Sequence, residues 1–198
     1  MSILSVAYLK EGIVLSSDCR GTHWRSVNGV MECRTEDRAP KTFLINSLNI
    51  GISYCGNMRL NGELFHFAIK DFVDKYVKSE DNTYTVAKKL FDSFKGNGTL
   101  FLVGGYINEE QHIYVVDDKI ERLNQKPDGL YLGIKPYGKT DSVLKLISDK
   151  YSNVDCNNLS LNDGIMIAEE WVRCAIENEE SCGEPVSTLV IKKDTSIW

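Results

Sequence analysis

A β-rich hairpin at the start of the chain is its most constraining feature. Ile3-Leu4-Ser5-Val6-Ala7-Tyr8-Leu9 runs as a strand, Lys10-Glu11-Gly12 turns, and Ile13-Val14-Leu15-Ser16-Ser17 returns. A polar stretch rich in Arg, Asn and Gly, Cys19 to Pro40, reads as a second, looser hairpin. Lys41–Ile45 and Ile50–Tyr54 then predict two strands around the Asn46–Asn49 turn. In residues 60–77, Leu64, Phe67, Ile69, Phe72, Val73 and Tyr76 fall near one helical stripe. A second helix is expected over Thr85–Phe94, after the capping candidates Asn82 and Thr83.

From Gly98 the apolar run TLFLVGGY predicts a strand, paired with Gln111–Val116 across Asn108-Glu109, and Gly129–Ile134 predicts another. Thr140–Tyr151 and Leu161–Ile176 read as helices, the second opened by Ser160 with Asp163 three residues on. Ser187–Lys192 alternates as a strand. The order of strands, two helices, strands, two helices and strand predicts one α+β domain over residues 1–198, with helix pairs on sheet.

Composition narrows the function classes. Hydrophobic residues make up 42% and charged residues 26%, which excludes a disordered chain. Lys and Arg total 23 against 28 Asp and Glu, a net charge of -5, so a nucleic-acid partner is not expected. No apolar run reaches the ~18 residues of a membrane helix, and the first residues lack a basic signal region. The expected setting is cytoplasmic. The six cysteines contain no CxxC and are read as reduced thiols. Cys19 and His23 have no second ligand pair, so no metal is expected. GxGxxG and phosphate-loop motifs are absent, Gly96-Asn97-Gly98 reads as a turn, and no cofactor is expected. Trp24, Trp171 and Trp198 are read as packing or interface residues.

The first hairpin carries a resemblance. Lys10 to Thr22, an apolar strand ending in Asp18-Cys19-Arg20-Gly21-Thr22, resembles the opening of proteasome β-type subunits through its Asp-x-Arg-x-Thr pattern. Lys41-Thr42-Phe43-Leu44-Ile45, then Gly51 and Cys55-Gly56, resemble that family's lysine strand and the glycine-containing strand after it. Leu100–Tyr106 with His112–Asp117, Asp149-Lys150-Tyr151, the 161–176 helix and Glu180-Ser181-Cys182-Gly183 follow in family order, so the likeness spans nearly the whole chain.

The resemblance implies a four-layer αββα sandwich, the N-terminal nucleophile hydrolase fold. It also implies the threonine-protease chemistry of that superfamily. Aligned on Gly12 and Asp18 without a gap, the family's N-terminal threonine falls on Ser2. Lys41 then stands beside the nucleophile, Asp18 orients it, and the backbone at Cys55-Gly56 holds the oxyanion. Thr22 binds substrate backbone, while Ser53 and Asn57 line a small polar pocket. Asn178 and Ser181 match supporting positions near the nucleophile. The chain departs from the pattern at three places: Gly138-Lys139-Thr140-Asp141 replaces Gly-Ser-Gly-Ser, Asn178 replaces an aspartate, and Cys55 replaces a glycine.

The chemistry suits these residue types independently of any family. A serine hydroxyl needs a base to become a nucleophile. A free α-amine, with a pKa of about 7.7–8, supplies one on the same residue once Met1 is removed. The expected activity is proteolysis: peptide-bond cleavage in peptides or unfolded proteins, within a ring-like oligomer of this chain or related proteasome subunits. A catalytically silent structural subunit and a small-amide hydrolase remain as alternatives.

Overall fold

A computed structural model describes the chain except for Met1, Met58, Asn61, Gly62, Thr195 and Trp198. The side chains of His23, Trp24, Arg25, Val27, Val30, Met31, Cys33, Ser196 and Ile197 are also outside the described set. The expectations for His23, Trp24 and Trp198 as side chains, and for Met1, therefore lie outside the described residues.

The opening hairpin is β1 (Ile3–Leu9) and β2 (Gly12–Ser17), followed by β3 (Gly21–Val27) with β4 (Val30–Glu36) and β5 (Thr42–Ile45) with β6 (Ile50–Gly56). A ribbon of β7 (Arg59–Leu60) and β8 (Glu63–Leu64) leads into α1 (Phe65–Tyr76) and α2 (Thr83–Phe94). Then come β9 (Thr99–Ile107), β10 (Glu110–Val116), β11 (Ile120–Arg122), the ribbon β12 (Gln125–Lys126) with β13 (Gly129–Leu130), and β14 (Gly133–Gly138). The chain ends with α3 (Asp141–Leu146), a π turn over Ile147–Tyr151, α4 (Leu161–Asn178), β15 (Ser187–Ile191) and β16 (Ser196–Ile197).

Two five-stranded antiparallel sheets organise these elements, in the orders β14-β1-β2-β15-β16 and β11-β10-β9-β6-β5. Period-two alternation divides each strand between two environments. In β1 and β2, Leu4, Val6, Tyr8, Ile13 and Leu15 meet Leu102, Ile113 and Cys55 of the other sheet. The intervening Ala7, Leu9 and Val14 meet Leu161 and Ala168 of α4. On the second sheet, Ile52, Tyr54, Phe101 and Val103 pack against Phe65, Ile69, Leu90 and Phe94 of α1 and α2. Burial on both faces explains why β1 is apolar at every position but Ser5.

Local signals set the helix starts. Asn82 and Thr85 form a reciprocal capping box at α2, and Ser160 and Asp163 form one at α4. The α1 stripe differs from expectation: Phe65, Ile69 and Phe72 are buried, whereas Phe67 and Tyr76 are exposed. Gly133–Gly138, and not Gly129–Ile134, forms the long strand of its region, because it pairs with β1 from Ile3↔Gly138 to Tyr8↔Gly133. The predicted 140–151 helix stays α-helical only to Leu146.

These differences bear on the fold class. The expected four-layer αββα sandwich of the N-terminal nucleophile hydrolases is corrected to mostly antiparallel sheet with four α-helices among the described residues. The reason is non-local: strand pairing with β1 claims residues the local pattern assigned elsewhere, and α3 keeps only six residues.

Candidate active site

The start of β1 and the end of β2 lie side by side, with Leu4 opposite Ser17, so Ser2 and Asp18 are brought together by the hairpin register. Asp18 Oδ1 accepts the Ile3 amide at 3.1 Å and the Lys41 ammonium at 2.7 Å. Its Oδ2 accepts the amides of Arg20 at 3.0 Å and Gly183 at 3.2 Å. Lys41 Nζ donates a second bond to the Arg20 carbonyl at 2.7 Å. Both members of the ion pair have fully buried side chains. A buried charge persists only when it is paired and hydrogen-bonded, and this carboxylate has both kinds of partner.

Ser2 is 1% exposed, and its hydroxyl has no hydrogen-bond partner among the described residues. Its carbonyl accepts the Lys139 amide at 2.8 Å. Gly138 makes that approach possible: at φ +90° a Cβ there would stand 2.1 Å from the Ser2 oxygen. The same Cβ position lies 3.4 Å from Cys55 Sγ, which places the Cys55 thiol at this junction.

Cys55 and Gly56 end β6. Tyr54 N–H donates to the Lys41 carbonyl at 2.9 Å, just before the first strand pair of β5, Thr42↔Ser53. Backbone donors alternate along a strand, so Gly56 N–H points to the Lys41 side as Tyr54 N–H does, and Cys55 N–H points towards β9. Of the two backbone donors the sequence suggested, Gly56 lies on the strand edge towards Lys41 and Cys55 on the edge towards β9. Gly56 has φ +120°, and a Cβ would fall 2.2 Å from the Gly98 carbonyl, so only glycine fits.

Three buried thiols surround the ion pair. Burial pushes Cys55 up to about 12, with Lys41 opposing and Asp18 adding to the shift. Burial likewise raises Cys19 and Cys182 to about 11. These side chains are neutral packing around the Asp18–Lys41 pair.

The remaining sequence candidates divide. Thr22 Oγ1 donates to the Ser181 carbonyl at 3.4 Å, which ties β3 to the 181–183 segment beside Asp18. Ser53 is fully buried, and its hydroxyl joins a chain through Thr42 (2.8 Å) to Ser17 (2.9 Å), so it packs inside the protein. Asn57 is exposed and donates its side-chain amide to the Asn97 carbonyl. Asn178 is exposed at the end of α4, and its amide turns back to the Cys174 carbonyl at 2.7 Å. It does not join the Asp18 cluster.

Arg20, the arginine of the Asp-x-Arg-x-Thr pattern, binds several segments together. Its guanidinium grips Asp37 through Nε at 2.7 Å and a second nitrogen at 3.2 Å, and reaches the Glu180 carbonyl at 3.2 Å. The Arg20 guanidinium holds the Asp37 carboxyl below its usual range. No local sequence signal announces the backbone bond from Lys139 to residue 2.

No protein-family model matches the chain, and no curated protein matches it by sequence. Solved structures do match it. A mutant of Anbu from Hyphomicrobium sp. strain MC1 aligns with a TM-score of 0.71 and 14% identity, over 98% of this chain and 83% of its own. Anbu from the same strain gives 0.67 and 14%, with the same coverage. Anbu (ancestral beta-subunit) from Yersinia bercovieri gives 0.66 and 13%, over 98% and 86%. These neighbours correct the resemblance to proteasome β-type subunits: the structures that match are those of Anbu, described as an ancestral beta-subunit. The chain shares the fold of the Anbu structures, and at this identity it is the fold alone that is shared.

Proposed function

We propose that this chain is an N-terminal serine hydrolase that cleaves peptide bonds inside a ring-like oligomer, with Ser2 as nucleophile once Met1 is removed. The observation that carries the reading is the shared Asp18 oxygen, which accepts both the Ile3 amide and the buried Lys41 ammonium. That arrangement supports a fixed positive charge next to residue 2.

In this mechanism the Ser2 α-amine takes the proton of its own Oγ, and Oγ attacks the scissile carbonyl. Gly56 N–H stabilises the oxyanion, assisted by the Lys41 charge in a site shielded from water. The protonated amine returns its proton to the leaving amine, leaving an ester on Ser2. Water then attacks the ester, gives a proton to the Ser2 amine, and the acid product departs with Oγ re-protonated. Thr22 supports an extended substrate added as a strand. Neither Asn178 nor Ser53 takes part in this scheme.

Turnover of fluorogenic peptides, with intact mass read for Met1, tests the proposal. Protein lacking Met1 is expected to cleave, Ser2→Ala to lose cleavage while assembly is kept, and Lys41→Ala to lose cleavage together with part of its stability. Equal activity in Ser2→Ala sinks it. Because the Ser2 hydroxyl is buried without a partner, Ser2→Ala is expected to change stability by no more than about 1 kcal/mol. The outward-facing Asn178 favours a second reading, a catalytically silent subunit; it leads if Met1 is retained and no peptide or small amide is cleaved.

A further inference from the structure

A small pocket lies on the far side of β1 from the inter-sheet core. Its walls come from Ile134 of β14, Ile147 and Tyr151 of the π turn, Val154 and Cys156 after it, and Ile167 and Trp171 of α4. Its volume is about 150 Å³. An apolar cavity of ~150 Å³ holds one benzene-sized ring. The walls are aliphatic, aromatic and thiol, and Tyr151 meets Trp171 edge-on with ring centroids 6.0 Å apart.

Two features distinguish this space from a simple packing gap. Trp171 is 4% exposed, yet its indole N–H has no acceptor among the described residues. A buried donor left unpaired costs about 1–3 kcal/mol, so an acceptor that enters here is rewarded. The tyrosine hydroxyl, by contrast, is already committed to Glu170. The second feature is the wall itself: Ile147–Tyr151 is a π turn, a form that commonly marks functional sites. Val154, 38% exposed, sits at the rim and leaves an entry.

We propose that this pocket is a binding site for a single-ring aromatic ligand carrying one hydrogen-bond acceptor, such as an aryl ketone or amide, with Trp171 Nε1–H as the donor. The ring fills the volume between Ile134, Ile167 and Trp171, and the acceptor satisfies the orphaned indole. The site is separate from Ser2 and does not depend on the hydrolase reading.

The test compares two probes of nearly equal shape, acetophenone with a carbonyl and ethylbenzene without one, titrated into the full chain by calorimetry. Acetophenone is expected to bind saturably and about tenfold more tightly than ethylbenzene, the contribution of one neutral hydrogen bond. Trp171→Phe is expected to erase that preference, and Val154→Trp to block both probes from the rim. Because Trp171→Phe itself can fail to fold, the indole N–H resonance is followed by NMR in the unaltered chain. It shifts with acetophenone and stays in place with ethylbenzene. Equal affinities, a preference that survives in Trp171→Phe, an unmoved indole resonance, or no saturable binding of either probe overturns the proposal.

Discussion

The two ends of the β1–β2 hairpin use charge in opposite ways. At the strand-start end, Asp18 and Lys41 are fully buried and 2.7 Å apart. At the turn end, Lys10, Glu11, Glu109, Glu110 and Lys193 border a much larger pocket of about 530 Å³. Its Lys193–Glu109 pair stands in water: the two are also 2.7 Å apart, but their side chains are 48% and 76% exposed. Equal distances therefore mean unequal interactions, because water screens one pair and is excluded from the other. The larger cavity is thus the weaker candidate for chemistry, and desolvated charge marks a site better than volume does.

The contrast can be broken most severely at Lys41. Lys41→Met leaves Asp18 buried without its cation and is expected to cost about 3–5 kcal/mol, measured by denaturant unfolding. A loss under 1 kcal/mol would mean that the three backbone amides of Ile3, Arg20 and Gly183 hold the Asp18 charge without the lysine. Gly56→Ala comes next, because φ +120° and the nearby Gly98 carbonyl leave no room for a Cβ. A loss of roughly 2–3 kcal/mol is expected, together with loss of any turnover that needs the Gly56 amide.

Alkaline pH sharpens the same comparison. The thiols of Cys19, Cys55 and Cys182 sit above their ordinary value near 9, at about 11, 12 and 11, so the folded chain holds these protons more tightly than the unfolded one. Their contribution to stability is complete below pH 9 and falls as pH rises towards the folded values. Melting temperature is expected to drop between pH 9 and 11, and less steeply in Cys182→Ala; parallel curves would exclude Cys182 as a cause. At the turn end, Lys193→Ala is expected to shift stability by less than ~0.5 kcal/mol, and a larger loss would show that the exposed pair is not screened as argued.

Much of the local structure was legible. The β1–β2 turn, the starts of α2 and α4, and the β9–β10 turn at Asn108-Glu109 follow from residues a few positions apart. The helix of 65–76 was legible as a helix, but not which stripe it buries, since Phe67 and Tyr76 fit the periodicity and still face outward. Within the site, Asp18 and Lys41 were readable as residue types in a motif. The roles of Asn178 and Ser53 were not, because each depends on which way a side chain turns after packing.

The sequence by itself determined that this chain opens with a β-hairpin, that capping residues open α2 and α4, and that a carboxylate and a lysine follow the second strand at fixed intervals. Those features depend on short-range periodicity and capping. Tertiary structure alone decided that β14 flanks β1, that Gly183 reaches back 165 residues to Asp18, and that the Lys139 amide holds the Ser2 carbonyl. Contacts between segments so far apart are selected by sheet register and by the exclusion of water around a buried charge, and neither is encoded in any local stretch of the chain.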